Sequence, residues 1–390
     1  KARAHVPCVL QEHPAEAAEP MPTRSRASSG SAAEDKELLA IFESTYGKVE
    51  RRAFEPKRAP ARTALDETRY NIKNQKTGPE YLLVDGYNII FAWDALKKLA
   101  AQDVAAAREA DLIVAVVGDV VQLVGETCST ATLELLGGQN ALLDALADVS
   151  RETGKPMVTV LGSSKPQVLP RSIVGDSGVL AGRCNDPKSG AGSILWAPNP
   201  GMEGGQAIAE IILGEVNPSG RLPITFPCHA GQLPVYYNQI RGQHGNRYAD
   251  LTQDPAFAFG EGEGYTTFAY GEPTIVGGAS NADGTFAQTD TVHAEIALTN
   301  TGRRAGTEVV QAYVGDVVTS YSWADRELKA FRRVTLEPGE TATVVFDIPV
   351  CDCTIADADA NRIVEPGEFE LLIGHSSRRD DLKRTTFTVA

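Results

Sequence analysis

Hydrophobic positions along the chain change period twice. At residues 81–84 a short apolar run, Tyr-Leu-Leu-Val, ends in Asp85, and a helix is predicted from about Asp94. The segment "DLIVAVVGD" is then unbroken apolar, as expected of a parallel strand buried on both faces, and "GGQNALLDALADVSRETGKP" after it has the spacing of an amphipathic helix closed by Gly and Pro. The unit recurs as the strand "MVTVLGSS" and again as "SILWAPNPGMEGGQAIAEIILGEVNPSG", a strand, a Pro/Gly turn and a helix. Such alternation predicts an α/β sheet covered by helices. From Gly271 the helical period gives way to short alternating runs, "VHAEIALTN", "EVVQAYVGD", "TATVVFDIP" and "EFELLIG". Turn signals at Asn300, Gly302, Pro338-Gly339 and Pro366-Gly367 separate them, which predicts an antiparallel β-sandwich beginning between about Gly260 and Gly278.

Upstream, residues 1–34 are rich in Ala, Pro, Ser and Glu with no lasting apolar period, and read as a disordered lead-in. Leu38, Leu39, Ile41 and Phe42 recur at helical spacing, and a basic, Pro-punctuated connector runs from Arg51 to Lys76. The whole chain of 390 residues is nevertheless acidic, with 51 Asp and Glu against 37 Lys and Arg and a net charge of −14. That balance disfavours nucleic acid and anionic membrane as partners and leaves neutral or cationic ones. No apolar run approaches the roughly 18 residues that span a bilayer, and the first thirty residues have no apolar core of the signal-peptide kind, so the expected location is the cytoplasm. The six cysteines are sparse and are expected to be free thiols; only Cys351 and Cys353 are close, at a spacing that would place both on one face of a strand.

Six segments in order carry a family resemblance: "AREADLIVAVVGDVVQLVGETCSTATLELLGGQNALLDAL", "ILWAPNPGMEGGQAIAEIILGEVNPSGRLPITF", "YYNQIRGQHGNRYADL", "FAFGEGEGYTTFAY", "RELKAFRRVTLEPGETATVVFDI" and "VEPGEFELLIG". Together they resemble the C-terminal portion of family 3 glycoside hydrolases, in the β-glucosidase and β-xylosidase branch. The resemblance implies an α/β domain over residues 105–268 and a fibronectin-III-like, immunoglobulin-like sandwich over residues 269–390. It also implies retaining hydrolysis of β-linked glycosides without a cofactor, by two carboxyl groups about 5 Å apart. In the family the nucleophile is an Asp on an N-terminal barrel, while the acid/base is a Glu on a loop of the α/β domain. That Glu falls on Glu126, after Gly125 and past the end of a buried strand.

The sequence departs from the family in three places. "TCSTAT" follows Glu126 where many members carry a glycine and an Asp-Arg pair, and Gly262, Glu263, Gly264 and Tyr265 replace Gly-Leu-Ser-Tyr. The latter stretch, with Glu261 beside it, reads as an exposed turn leading into the β-domain. The stretch "GDSGVLAGRCNDPKSGAG" reads as a surface insertion. The family's Ser-Asp-Trp nucleophile segment and its Lys-His pair do not occur in these 390 residues: none of Trp93, Trp196 and Trp323 follows an Asp, and none of the six histidines follows a lysine. A barrel or a second copy acting in trans is therefore the partner that would complete the site.

Residues 35–104 bear a second resemblance. "EDKELLAIFESTYGKV" with "GPEYLLVDGYNIIFAWDALKKLA" is similar to the entry into an NYN-type, PIN-like ribonuclease domain. That likeness implies Asp85 as a first Mg²⁺-binding carboxylate, with Asn88 close by and only Asp94 as a further acidic group nearby. The later acidic strands of such a nuclease are missing, so Asp85 also reads as a plain strand-end turn residue. The competing readings are thus a glycosidase part, a carbohydrate- or protein-binding scaffold without turnover, and an RNA-processing protein.

Overall fold

In the computed structural model of the chain, the described residues are the backbone of 81–85, then 105–119, 123, 128–175, 185, 189–240, 242 and 248–390. All belong to one unit, Lys76–Ala390. The expected lead-in, the helical spacing of Leu38 to Phe42, the helix from Asp94, Glu126 and most of the surface insertion lie outside the described residues.

The first layer is a parallel sheet of β1 (Tyr81–Asp85), β2 (Leu112–Gly118), β3 (Met157–Gly162) and β4 (Ser193–Trp196), in that spatial order. β2 and β3 pair from Ile113↔Met157 to Gly118↔Gly162. Their continuous apolar runs follow from burial on both faces. Between them runs α1 (Gln139–Thr153), which turns Leu142, Leu143, Leu146, Ala147 and Val149 onto the sheet. Gly154 closes it in the left-handed region at φ 70°, with its N–H on Ser150 O, as the Gly-Pro signal predicts. A four-residue turn of helix, α2 (Arg171–Val174), and the nine-residue α3 (Gly204–Ile212) complete this layer.

The second part is a sandwich. One sheet holds β5 (Phe268–Tyr270), β6 (Thr274–Gly277), β7 (Thr291–Asn300) and β10 (Thr341–Pro349), ordered β10-β7-β5 with β6 also on β7. The other is β14-β13-β8-β9, from β8 (Gly306–Asp316), β9 (Glu327–Leu336), β13 (Gly367–Gly374) and β14 (Leu382–Val389). The short pair β11 (Ile355–Ala356) and β12 (Arg362–Ile363) stands apart. Period-two alternation explains the core: Val292, Ala294, Ile296 and Leu298 of β7 face inward, and Ala294 and Ile296 stand opposite Phe346 and Val344 of β10. Across the other sheet Phe369 and Phe387 pair and stack with centroids 5.3 Å apart.

β8 departs from alternation because its outer face is also covered. Val310, Ala312 and Val314 enter the sandwich core, while Gln311 and Tyr313 are buried against residues 237–260. Gln311 donates to Gly260 O at 3.0 Å, and Gly260, at φ 78°, has no room for a side chain because an added Cβ would lie 2.0 Å from Gln311 Oε1. Two ion pairs tie the layers together: Arg221 to Glu308 at 2.8 Å, and Glu261 to Arg378 at 2.9 Å. The turn after Ala258 is therefore not simply exposed. Glu261 also accepts from Ala258 N at 2.7 Å and is an inter-layer clamp, whereas Glu263 and Tyr265 are exposed as expected.

The cysteine expectation needs two corrections. Cys128, Cys351 and Cys353 are free, but Cys228 is in a disulfide. Cys351 and Cys353 do not share a strand face: the chain makes a 3₁₀ turn at Val350–Asp352, leaving Cys351 exposed and Cys353 buried. Burial pushes the Cys353 thiol pKa up to about 11.

Candidate active site at the carboxyl end of the parallel sheet

Parallel strands bring their carboxyl ends to one edge, the place where open α/β sheets present functional groups. β2 and β3 end in register at Gly118 and Gly162, so Asp119 and Ser163 emerge side by side. Asp119 N donates to Gly162 O at 3.2 Å, and Ser163 Oγ donates to Asp119 Oδ2 at 3.1 Å. The side chain of Asp119 is 3% exposed and that of Lys165 16%; the Lys165 ammonium lies 3.3 Å from Asp119 Oδ2. A carboxylate buried this deeply needs a paired charge and hydrogen bonds, and it has both.

Lys165 does more than neutralise Asp119. Its Nζ also donates to Thr130 Oγ1 at 2.9 Å and to Leu123 O at 3.3 Å. Leu123 and Thr130 stand on opposite sides of residues 124–127, so one ammonium ties both flanks of the segment containing Glu126 to the sheet. The end of β2 is held from its other side by Gln139, the first residue of α1. Its amide receives Gly118 N–H on Oε1 at 2.8 Å and donates through Nε2 to Gly118 O at 3.1 Å and Leu136 O at 3.0 Å. Trp196 at the end of β4 donates its indole N–H to Ser163 O at 2.7 Å. Three of the four strands thus contribute to a fixed root for one loop.

Of the residues singled out in the sequence, Glu126 lies outside the described residues. The backbone of Asp85 ends β1 opposite Val116 of β2, at this same edge of the sheet. Among the described residues no group of three or more His, Cys, Asp and Glu is placed to hold a metal ion. Asp119, Gln139, Ser163 and Lys165 were not evident from sequence. Lys165 lies 42 residues from Leu123 and 35 from Thr130. The available hint was two polar residues, Asp119 and Ser163, each placed directly after a buried apolar strand.

Residues 30–265 match the Glycosyl hydrolase family 3 C-terminal domain, and residues 308–377 match the Fibronectin type III-like domain. The first match takes in the whole of the segment with the second resemblance, residues 35–104. Among curated proteins, the chain is 39% identical to a beta-xylosidase of Formosa agariphila over 293 residues, covering 73% of this chain and 36% of that one. It is 35% identical to the periplasmic beta-glucosidase of Salmonella typhimurium over 286 residues, covering 71% and 34%. Among solved structures, a beta-glucosidase involved in saponin metabolism from intestinal bacteria is 84% identical, with a TM-score of 0.73, covering 75% of this chain and 38% of that one. The beta-glucosidase of Listeria innocua in complex with isofagomine is 29% identical, with a TM-score of 0.64, covering 75% and 39%. The chain spans about a third of the length of the curated relatives it matches.

Proposed function

The chain belongs to glycoside hydrolase family 3, carrying its C-terminal α/β domain followed by the fibronectin type III-like domain, and on that premise we propose that it is the acid/base half of a retaining β-glycosidase acting on β-glucosides or β-xylosides. In this reading Glu126 protonates the departing glycosidic oxygen and then, as its carboxylate, takes a proton from the water that releases the sugar. The nucleophilic carboxylate comes from a barrel, in the same polypeptide or a separate one. Closure of that barrel over the loop desolvates Glu126 and raises its pKa, which keeps the acid protonated near neutral pH.

The observation that carries this reading is the Lys165 clamp. A loop that must bring one carboxyl group to a scissile bond needs fixed ends, and Lys165 fixes both flanks of the Glu126 segment through one partly buried ammonium. The names of the relatives supply the substrate class.

The test supplies a family 3 barrel as a separate chain and measures release of aryl and alkyl β-glucosides and β-xylosides. The mixture is expected to turn over. Glu126→Gln should lose roughly 10²- to 10⁴-fold on alkyl glycosides, whose leaving oxygen needs a proton, and much less on nitrophenyl glycosides. Equal loss on both classes would deny Glu126 the acid role.

A further inference from the structure

A cavity of about 630 Å³ opens between residues 225–258 of the α/β layer and the β-sandwich, and it shares no residue with the Lys165 cluster. Its volume lies in the range of small-molecule sites. One wall is aromatic. Tyr237 is locked there: its ring stacks on Phe259 with centroids 4.4 Å apart, it meets Tyr313 edge-on at 5.9 Å, and its hydroxyl accepts from Leu328 N at 3.2 Å. The adjacent Tyr236 also lines the cavity but is 63% exposed. With so much of its surface open, Tyr236 is available to a ligand.

Beside this aromatic segment, joined to it by the Asp325 N–H on Gln239 O at 2.7 Å, the lining is charged, with its arginines paired. Arg326 pairs with Asp325, Arg379 pairs with Asp325 at 2.9 Å and with Glu370 at 3.3 Å, and Arg378 pairs with Glu261. Each of the three lining arginines is already committed to a carboxylate. Such a wall has little attraction for phosphate, sulfate or another anion, but it presents fixed acceptors and donors side by side. Gln239 adds an amide to the lining. An exposed aromatic side chain next to paired polar groups suits a flat ligand with an apolar face and many hydroxyls.

We propose that this cavity binds a neutral sugar, one or two rings of a glycan or glycoside, with a ring against Tyr236 and its hydroxyls on the Asp325–Arg379–Glu370 array. It is a second carbohydrate site, sharing no residue with the Lys165 cluster, and holds glycan without cleaving it. Only the choice of β-linked probes rests on the glycosidase reading; the cavity and its chemistry do not.

The test is calorimetric or ligand-observed NMR titration of the whole chain with cellobiose and with xylobiose. One of them is expected to bind with a Kd on the order of 1 mM. Tyr236→Ala, at an exposed position and with its fold checked by circular dichroism, should weaken that binding at least tenfold, and Gln239→Ala should weaken it less. Glu126→Gln should leave it unchanged. No binding by the folded chain overturns the proposal, as does binding that Tyr236→Ala leaves intact or that Glu126→Gln abolishes. Lost sugar binding beside intact turnover in the barrel-complemented enzyme would remove this site and keep the proposed function; intact binding beside absent turnover would do the reverse.

Discussion

The β-sandwich and the parallel α/β layer are built from similar apolar residues and each encloses a core, but they enclose it differently. The two sheets of the sandwich bury each other, and Phe346, Phe369, Leu371 and Ile373 are at most 1% exposed. In the α/β layer β2, β3 and α1 pack well, but β4 is only partly buried and α3 turns almost nothing inward, with Leu213 56% and Met202 99% exposed among the residues around it. The difference lies in how each core is closed: two sheets bury each other in the sandwich, whereas β2, β3 and α1 enclose the α/β core and leave β4 and α3 at its rim.

Substitutions can break that comparison. The largest effect is expected from Phe346→Ala, which empties the centre of the sandwich and should cost about 3–5 kcal/mol in denaturant unfolding. A much smaller loss would mean that the sandwich core is not the stable half. Lys165→Met leaves Asp119 buried without its cation, a change of about 3–5 kcal/mol when a pair is fully buried and less here because Lys165 keeps some exposure. Its signature should be local: protease cleavage between Leu123 and Thr130 should speed up while the sandwich stays protected. Cleavage spread over both layers would contradict a loop clamp.

The smallest effect is on pH dependence. Asp290 accepts from Ala287 N, Ser280 Oγ and Ser280 N, all at 2.8 Å, and these bonds hold its carboxyl pKa below the usual value, as Thr285 does for Asp283 and Asn361 for Asp357. A pKa that is lower in the folded than in the unfolded chain gives stability that is present above the unfolded value of 3.8 and lost as pH falls through the folded one. The denaturation midpoint of the sandwich should therefore fall below about pH 4, and Asp290→Asn should flatten that slope. An unchanged slope would remove Asp290 from the acid transition.

Much of this was legible along the chain. The apolar run at 112–118, the Gly-Pro stop after α1 and the alternation of β7 and β10 each announce their element, because local period and turn residues decide them. The join between layers was not. Arg221 with Glu308 and Glu261 with Arg378 are 87 and 117 residues apart, and no local pattern marks a pair made only when two layers meet. For the same reason Glu261 read as a turn residue and Lys165 went unnoticed. Cys228 read as a free thiol because spacing alone does not reveal a disulfide.

The measurement that bears most directly on the account is hydrolysis of aryl β-glucoside and β-xyloside by these 390 residues alone, beside the Glu126→Gln variant. The account predicts no turnover by either, with the chain folded, because the nucleophile belongs to a barrel outside this sequence. Turnover by the chain that disappears in Glu126→Gln would show that a second carboxylate of this chain, or of another copy of it, completes the site, and the division of the enzyme proposed above would be wrong.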